Sequence, residues 1–223
     1  MTIRHLSFTD RLLASTQQAV SVIGGRQPAS RPTPQPKSSE TSNTDGTAGH
    51  SKATAQEVRL SGALMRVNHV GEICAQGLYQ GQALTARNPS VRAQFHQAAG
   101  EEIDHLTWTS QRLSELGARP SIFNPLWYVG SLAIGTLAGV RGDRYSLGFM
   151  AETEQQVEKH LAGHLSRLPE ADFRSRAIVA QMKHDEAAHA STALQMGGIR
   201  PPWLIRQAMR NVAKIMTSVS FRL

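Results

Sequence analysis

The chain has one cysteine, Cys74, in 223 residues. That scarcity excludes an internal disulfide framework, and any zinc or iron-sulfur site built from cysteines of this chain. Oxygen and imidazole ligands, which suit iron or manganese, stay open. A continuous apolar run is also missing at the start, where residues 1–22 are amphipathic and interrupted by Arg4, Asp10 and Arg11. Such a segment is no secretory signal, and a cytosol-facing protein is expected. The alternation of β-branched and polar residues that marks strands is absent, so the fold class is all-α. No Gly-rich strand-turn-helix unit for a dinucleotide occurs either. Acidic residues are in deficit, 17 Asp and Glu against 24 Lys and Arg, which leaves a net charge of +7. This balance implies an anionic partner, either nucleic acid or a membrane surface, and charge alone does not choose.

Three stretches differ in composition. Residues 1–25 suit a short amphipathic helix, centred on 7–23. Residues 26–56 are rich in Pro, Ser, Thr, Gln and Gly, with almost no large apolar side chains to offset the entropy of ordering, and read as a disordered linker. Residues 57–223 form the remaining domain. Within it the breaks at Asn88-Pro89, Gly117 to Pro125, Arg141-Gly142 and Pro169 delimit four core helices, roughly 57–87, 90–116, 143–167 and 170–196.

Winding each helix at about 100° per residue puts one acid in each apolar stripe. Glu72 falls with Met65, Asn68, Tyr79, Ala83 and Ala86, and Glu102 with Val91, Phe95, Ala98, Leu106 and Leu113. Glu154 falls with Leu147, Met150, Leu161 and Leu168, and Glu186 with Val179, Met182, Ala190 and Ala193. A carboxylate buried without a partner is too costly to keep charged, so four of them require a cation or neutralisation. Two helices also carry the same word, Glu101-Glu102-Ile103-Asp104-His105 and Asp185-Glu186-Ala187-Ala188-His189. Glu-x-x-His by chance is expected about 0.4 times in such a chain, but preceded by an acid only roughly 0.03 times, and it occurs twice. Spacing of i, i+3 sets Glu and His on one helix face, close enough to share a metal.

The chain order Glu, Glu-x-x-His, Glu, Glu-x-x-His is the layout of ferritin-like di-metal bundles. Glu102 and Glu186 are then placed to bridge two ions, with one histidine for each. Oxygen and imidazole donors favour iron or manganese over copper, and dioxygen chemistry favours iron. His69, His96, His160, His164 and His184 share no such pattern and are expected in structural or surface roles. Tyr79, close to Glu72 along its stripe, is expected in the core. Helix phase sets Glu152 about 160° from Glu154, on the solvent side, and Glu158 about 40° away. Glu101 and Asp185, each four residues before a histidine, are expected to accept the outer N–H of His105 and His189 respectively.

Leu64-Met65-Arg66-Val67-Asn68-His69-Val70-Gly71-Glu72, with Ala75, Gln76, Leu78, Tyr79, Gly81 and Gln82, resembles the first-helix signature of the demethoxyubiquinone hydroxylases. The resemblance runs on through both acid-Glu-x-x-His words and Thr153-Glu154 to the chain end. It implies that Glu72, Glu102, His105, Glu154, Glu186 and His189 are catalytic iron ligands, holding two Fe ions per chain. It further implies monooxygenation of a polyprenyl benzoquinol by dioxygen, in ubiquinone biosynthesis, with a reductase or reduction through the quinone itself as electron source. Other biosynthetic proteins are possible partners, and nucleic acid is not expected.

Residues 121–140 carry no charge and include Trp127 and Tyr128. At this length, with internal glycines, they suit shallow insertion or packing on the bundle rather than a span. The segment 203–221 is a basic amphipathic helix, with Ile205, Met209, Val212, Met216 and Val219 on one face and Arg206, Arg210 and Lys214 on another. Both features suit a peripheral membrane protein on the cytoplasmic face of a bacterial membrane, or the matrix face of the inner mitochondrial membrane in a eukaryote. Iron storage and tRNA hydroxylation are the rival readings, since one bundle serves several chemistries.

Overall fold

A computed structural model describes residues 17–22, 24, 28–36 and 53–223. Six helices make up the domain: α1 (Ala55–Thr85), α2 (Pro89–Glu115), α3 (Asn124–Val140), α4 (Asp143–Arg167), α5 (Phe173–Gln195) and α6 (Trp203–Arg222). No strand occurs among the described residues, as the all-α expectation requires. Residues 17–22 are helical, but most of the expected N-terminal helix lies outside the described residues, as do positions 37–52 of the expected linker.

Local chemistry sets the helix ends. Thr54 accepts from the Glu57 amide while the Glu57 carboxylate accepts from Thr54, a reciprocal cap that starts α1. Asn88 caps α2 just ahead of Pro89, whose missing N–H is harmless in a first turn. Asp172 caps α5 by accepting from the Ser175 amide. Asp143, in the first turn of α4, accepts from the backbone N–H groups of Arg87 and Asn88 and so ties the α1–α2 turn to α4.

α1 is the helix around which the others pack: it touches α2, α3, α4 and α6. Its buried residues are consequently spread around it, Met65, Val67, Asn68, Val70, Glu72 and Ile73 among them. Of three buried apolar clusters, two lie on either side of the bundle's middle, and a third joins Val22, Ile73, Leu106 and Tyr128. Of the pair, one gathers Tyr79, Phe95, Leu147, Met150 and Ala193, and the other Met65, Trp108, Leu161, Ile178 and Met182. Each of α1, α2, α4 and α5 passes from one cluster to the other, and Glu72, Glu102, Glu154 and Glu186 sit at the four crossings.

The uncharged segment becomes α3, laid along α1 by small residues. A Cβ added at Gly81 would lie 2.3 Å from the Leu132 carbonyl oxygen, and one at Gly135 would lie 2.2 Å from that of Leu78. Only glycine permits this approach of two backbones. The Tyr128 hydroxyl donates to Gln80 Oε1 across the same seam. The opposite face of α3 stays bare, with Leu126, Val129, Leu137 and Val140 all largely exposed. α6 behaves likewise, turning Ser220 inward and Trp203, Leu204, Val212 and Ile215 outward.

Candidate metal centre

All six residues marked by the sequence pattern come together. Ligand-type atoms of Glu72, Glu102, His105 and Glu186 lie within 4.8 Å of one another, and so do those of Glu102, Glu154, Glu186 and His189. Glu102 and Glu186 belong to both groups. Every member is buried. The histidines turn Nδ1 inward: His105 Nδ1 lies 2.7 Å from Glu102 Oε2 and 3.2 Å from Glu186 Oε1. His189 Nδ1 lies 3.1 Å from Glu102 Oε1 and 3.1 Å from Glu186 Oε2.

Burial pushes Glu72 well above the usual carboxylate range, and the charges of Glu102 and Glu186 add to it against the pull of His105. Burial also lifts Glu154, helped by Glu186. Burial alone would raise Glu102, yet His105 and His189 outweigh it and hold that carboxyl well below its ordinary value. The imidazoles respond in the opposite sense. Burial opposes their charge, but Glu102, Asp185 and Glu186 hold His105 well above its usual range, and Glu102 and Glu186 carry His189 up to about 12. Except at Glu102, these shifts favour the protonated form of the group. Glu154 Oε1 is buried and makes no hydrogen bond among the described residues, an orphaned acceptor that a cation in this donor set satisfies.

The outer ring nitrogens overturn one expectation. Glu101 and Asp185 do accept from the histidines, but in crossed pairs: His105 Nε2 lies 3.0 Å from Asp185 Oδ2, and His189 Nε2 lies 2.6 Å from Glu101 Oε2. Since Nδ1 is drawn to the buried carboxylates, Nε2 points across to the neighbouring antiparallel helix instead of up its own. Helix phase cannot register this, because it contains no neighbour.

A second expectation is corrected on α4. Glu152 does not face solvent; it is 5% exposed. α6 covers that side of α4, where Gln156 Nε2 donates to Glu152 Oε1 and reaches the Arg206 carbonyl. Neither Glu152 nor Glu158 enters either cluster. Tyr79 is core, stacked on Phe95 at 6.4 Å. His69 and His164 are buried away from the six, with His164 Nδ1 2.7 Å from Asn68 Oδ1, and His184 and His96 are exposed.

Sequence reasoning missed Arg31. It lies in the stretch read as a disordered linker, yet residues 28–36 lie against the bundle. Arg31 Nε donates to Asp104 Oδ2 at 2.7 Å and Nη1 to Asp185 Oδ2 at 2.9 Å, while its guanidinium stands 4.9 Å from the Trp108 ring centre. Ser30 N also donates to Asp104, at 2.6 Å. The only signal in sequence was an arginine inside a proline-punctuated run, which does not name a partner 73 or 154 residues away.

A helical bundle with four buried carboxylates and two inward imidazoles, drawn from α1, α2, α4 and α5, is a ferritin-like protein with a carboxylate–histidine centre. The family described as "Ubiquinone biosynthesis protein COQ7" matches residues 59–220. A 3-demethoxyubiquinol 3-hydroxylase of Ralstonia pickettii is 53% identical over 215 residues, covering 96% of this chain and 99% of that protein. One of Methylibium petroleiphilum is 51% identical across 99% of this chain and all of that protein. Another, of Cupriavidus necator, is 58% identical over 170 residues, covering 76% of this chain and 82% of that protein. The chain belongs to the COQ7 family of ubiquinone biosynthesis proteins.

Proposed function

We propose that this chain is an oxygen-dependent monooxygenase that hydroxylates the ring of a polyprenylated demethoxybenzoquinol, 3-demethoxyubiquinol to 3-demethylubiquinol. Glu72, Glu102, His105, Glu154, Glu186 and His189 hold its two irons. The observation that carries the reading is the pair of overlapping clusters that share Glu102 and Glu186. The shared name of the relatives supports the substrate class. When bound, ferrous iron supplies the open positions and the electrons for reducing dioxygen, so that one oxygen atom enters the ring and the other leaves as water.

The chain's own residues prepare for that chemistry. Asp185 and Glu101 fix the tautomer and direction of His105 and His189, leaving each Nδ1 free to ligate. Four carboxylates against two divalent ions leave the pocket close to neutral, which suits its apolar surroundings. Further electrons come from outside, because the sequence has no dinucleotide-binding unit. A water-insoluble substrate reaches the bundle from a bilayer surface. The exposed apolar faces of α3 and α6 support peripheral attachment there, and among the described residues no helix is long and apolar enough to cross a membrane.

Anaerobic reconstitution with ferrous iron, then mass analysis of a demethoxyquinol after oxygen is admitted, tests this directly. A product heavier by one oxygen atom, dependent on iron, is expected. Iron-independent turnover, or oxidation of iron with the quinol untouched, refutes it.

A further inference from the structure

The two histidines of the centre are supported unequally. Glu101, which accepts from His189, has a side chain 40% exposed and among the described residues is otherwise held only by its own-helix neighbour Gln97. Asp185, which accepts from His105, has a side chain 12% exposed and is gripped from two sides, by Gln181 Nε2 at 2.8 Å and by Arg31 Nη1 at 2.9 Å. Arg31 uses the same Asp185 oxygen, Oδ2, that accepts the hydrogen bond from His105 Nε2. The guanidinium forks, and its Nε holds Asp104, whose side chain is only 1% exposed. Trp108 completes the mount: its indole N–H donates to the Arg31 carbonyl at 3.3 Å, and its ring leans on His105 at 5.2 Å. One arginine thus joins α2 to α5 at the level of His105. No described residue does this at the level of His189.

We propose that Arg31 is a positioning residue of the metal centre, and that the strap of residues 28–36 makes the half built on His105 retain its metal more firmly than the half built on His189. The proposal rests on the reading of the cluster as a two-metal site. A planar fork is what the geometry needs, since Asp104 and Asp185 lie on different helices and both must be met at once. An acid that orients a metal-bound imidazole is worth about 10 to 100-fold in metal affinity, and Arg31 acts through such an acid. Without the fork, Asp185 keeps Gln181 but is free to swing, and His105 loses the fixed acceptor that holds Nδ1 toward Glu72, Glu102 and Glu186.

The test loads the full chain anaerobically with ferrous iron and follows capture of the metal by a coloured chelator. Wild type is expected to release iron in two phases. Arg31→Ala should speed the slow phase by about 10 to 100-fold and leave the fast one alone. Glu101→Ala should speed only the fast phase. Arg31→Lys should fall between wild type and Arg31→Ala, because an ammonium meets one acid at a time. Circular dichroism and thermal melting monitor the fold, and if the alanine variant does not fold, the lysine variant carries the same criterion. Wild type that binds no iron defeats the two-metal reading. Wild type that loads two irons but releases them in one phase, or an Arg31 variant with an unchanged slow phase or with both phases equally faster, overturns the role of the strap.

Discussion

At the scale of single residues, burial and neighbouring charge set which groups of the centre hold protons. Glu72 and Glu154 are held well above the ordinary carboxylate range mainly by burial, while His105 and His189 are held above the ordinary imidazole range by their carboxylate neighbours. All four pKa values are raised, so all four groups keep their protons to higher pH than they would in water, and each must give one up to ligate. Metal loading should therefore release protons, in a number set by how many of these groups are protonated at the working pH, and affinity should fall as pH is lowered. Calorimetry in buffers of different ionisation enthalpy reads that number, and uptake without proton release would contradict it. Glu154→Gln should lose most of its iron, because a buried pair left with three carboxylates carries excess positive charge. Glu152→Gln should keep its iron, since Glu152 faces Gln156 beneath α6 and lies outside both clusters. Iron content measured on the two variants separates them. The six cluster residues were legible in sequence because four belong to a repeated acid-Glu-x-x-His word and all four glutamates fall in apolar helix stripes. The crossed partners of His105 and His189, the burial of Glu152 and the grip of Arg31 were not, because each depends on which helix or segment lies opposite.

At the scale of elements, the four core helices and their order were legible from proline and glycine punctuation, and four apolar stripes announced a bundle. What the stripes do not encode is the central place of α1. A helix covered on several sides has a weak stripe, and its glycines acquire meaning only against α3. The uncharged stretch was open between insertion and packing for the same reason. It packs by its small residues and leaves its large ones bare, so hydrophobicity alone could not separate the two. Gly81→Ala tests that seam, since its Cβ would meet backbone atoms of α3, the Leu132 oxygen at 2.3 Å and the Thr136 nitrogen at 2.6 Å. Backbone cannot swing aside as a side-chain tip does, so the cost should be about 1–3 kcal/mol, read as a lower midpoint in urea. An unchanged midpoint would mean that α3 is not held against α1 by close backbone contact.

At the scale of the whole molecule, positive charge and exposed apolar surface should act together. α3 offers Leu126, Val129, Leu137 and Val140, each at least 59% exposed, and α6 offers Trp203, Leu204, Val212 and Ile215, each at least 51% exposed. Exposed Arg210 and Lys214 stand on α6 beside its apolar residues. Apolar insertion is insensitive to salt, whereas attraction to anionic headgroups is screened within about 10 Å at 0.1 M salt. Binding to vesicles of mixed neutral and anionic lipid should therefore weaken but persist as salt is raised. Val129→Asp with Leu137→Asp should cut the salt-resistant part by about tenfold or more, because two side chains no longer enter the apolar layer and two charges resist it. Arg210→Gln with Lys214→Gln should cut only the salt-sensitive part. Co-sedimentation across a salt series measures both components on the same protein, and iron content checks that the bundle is intact in each variant. Complete release of the wild type by salt alone would show that the bare faces of α3 and α6 do not enter the lipid, and would remove the proposed route by which a polyprenyl tail comes to the site.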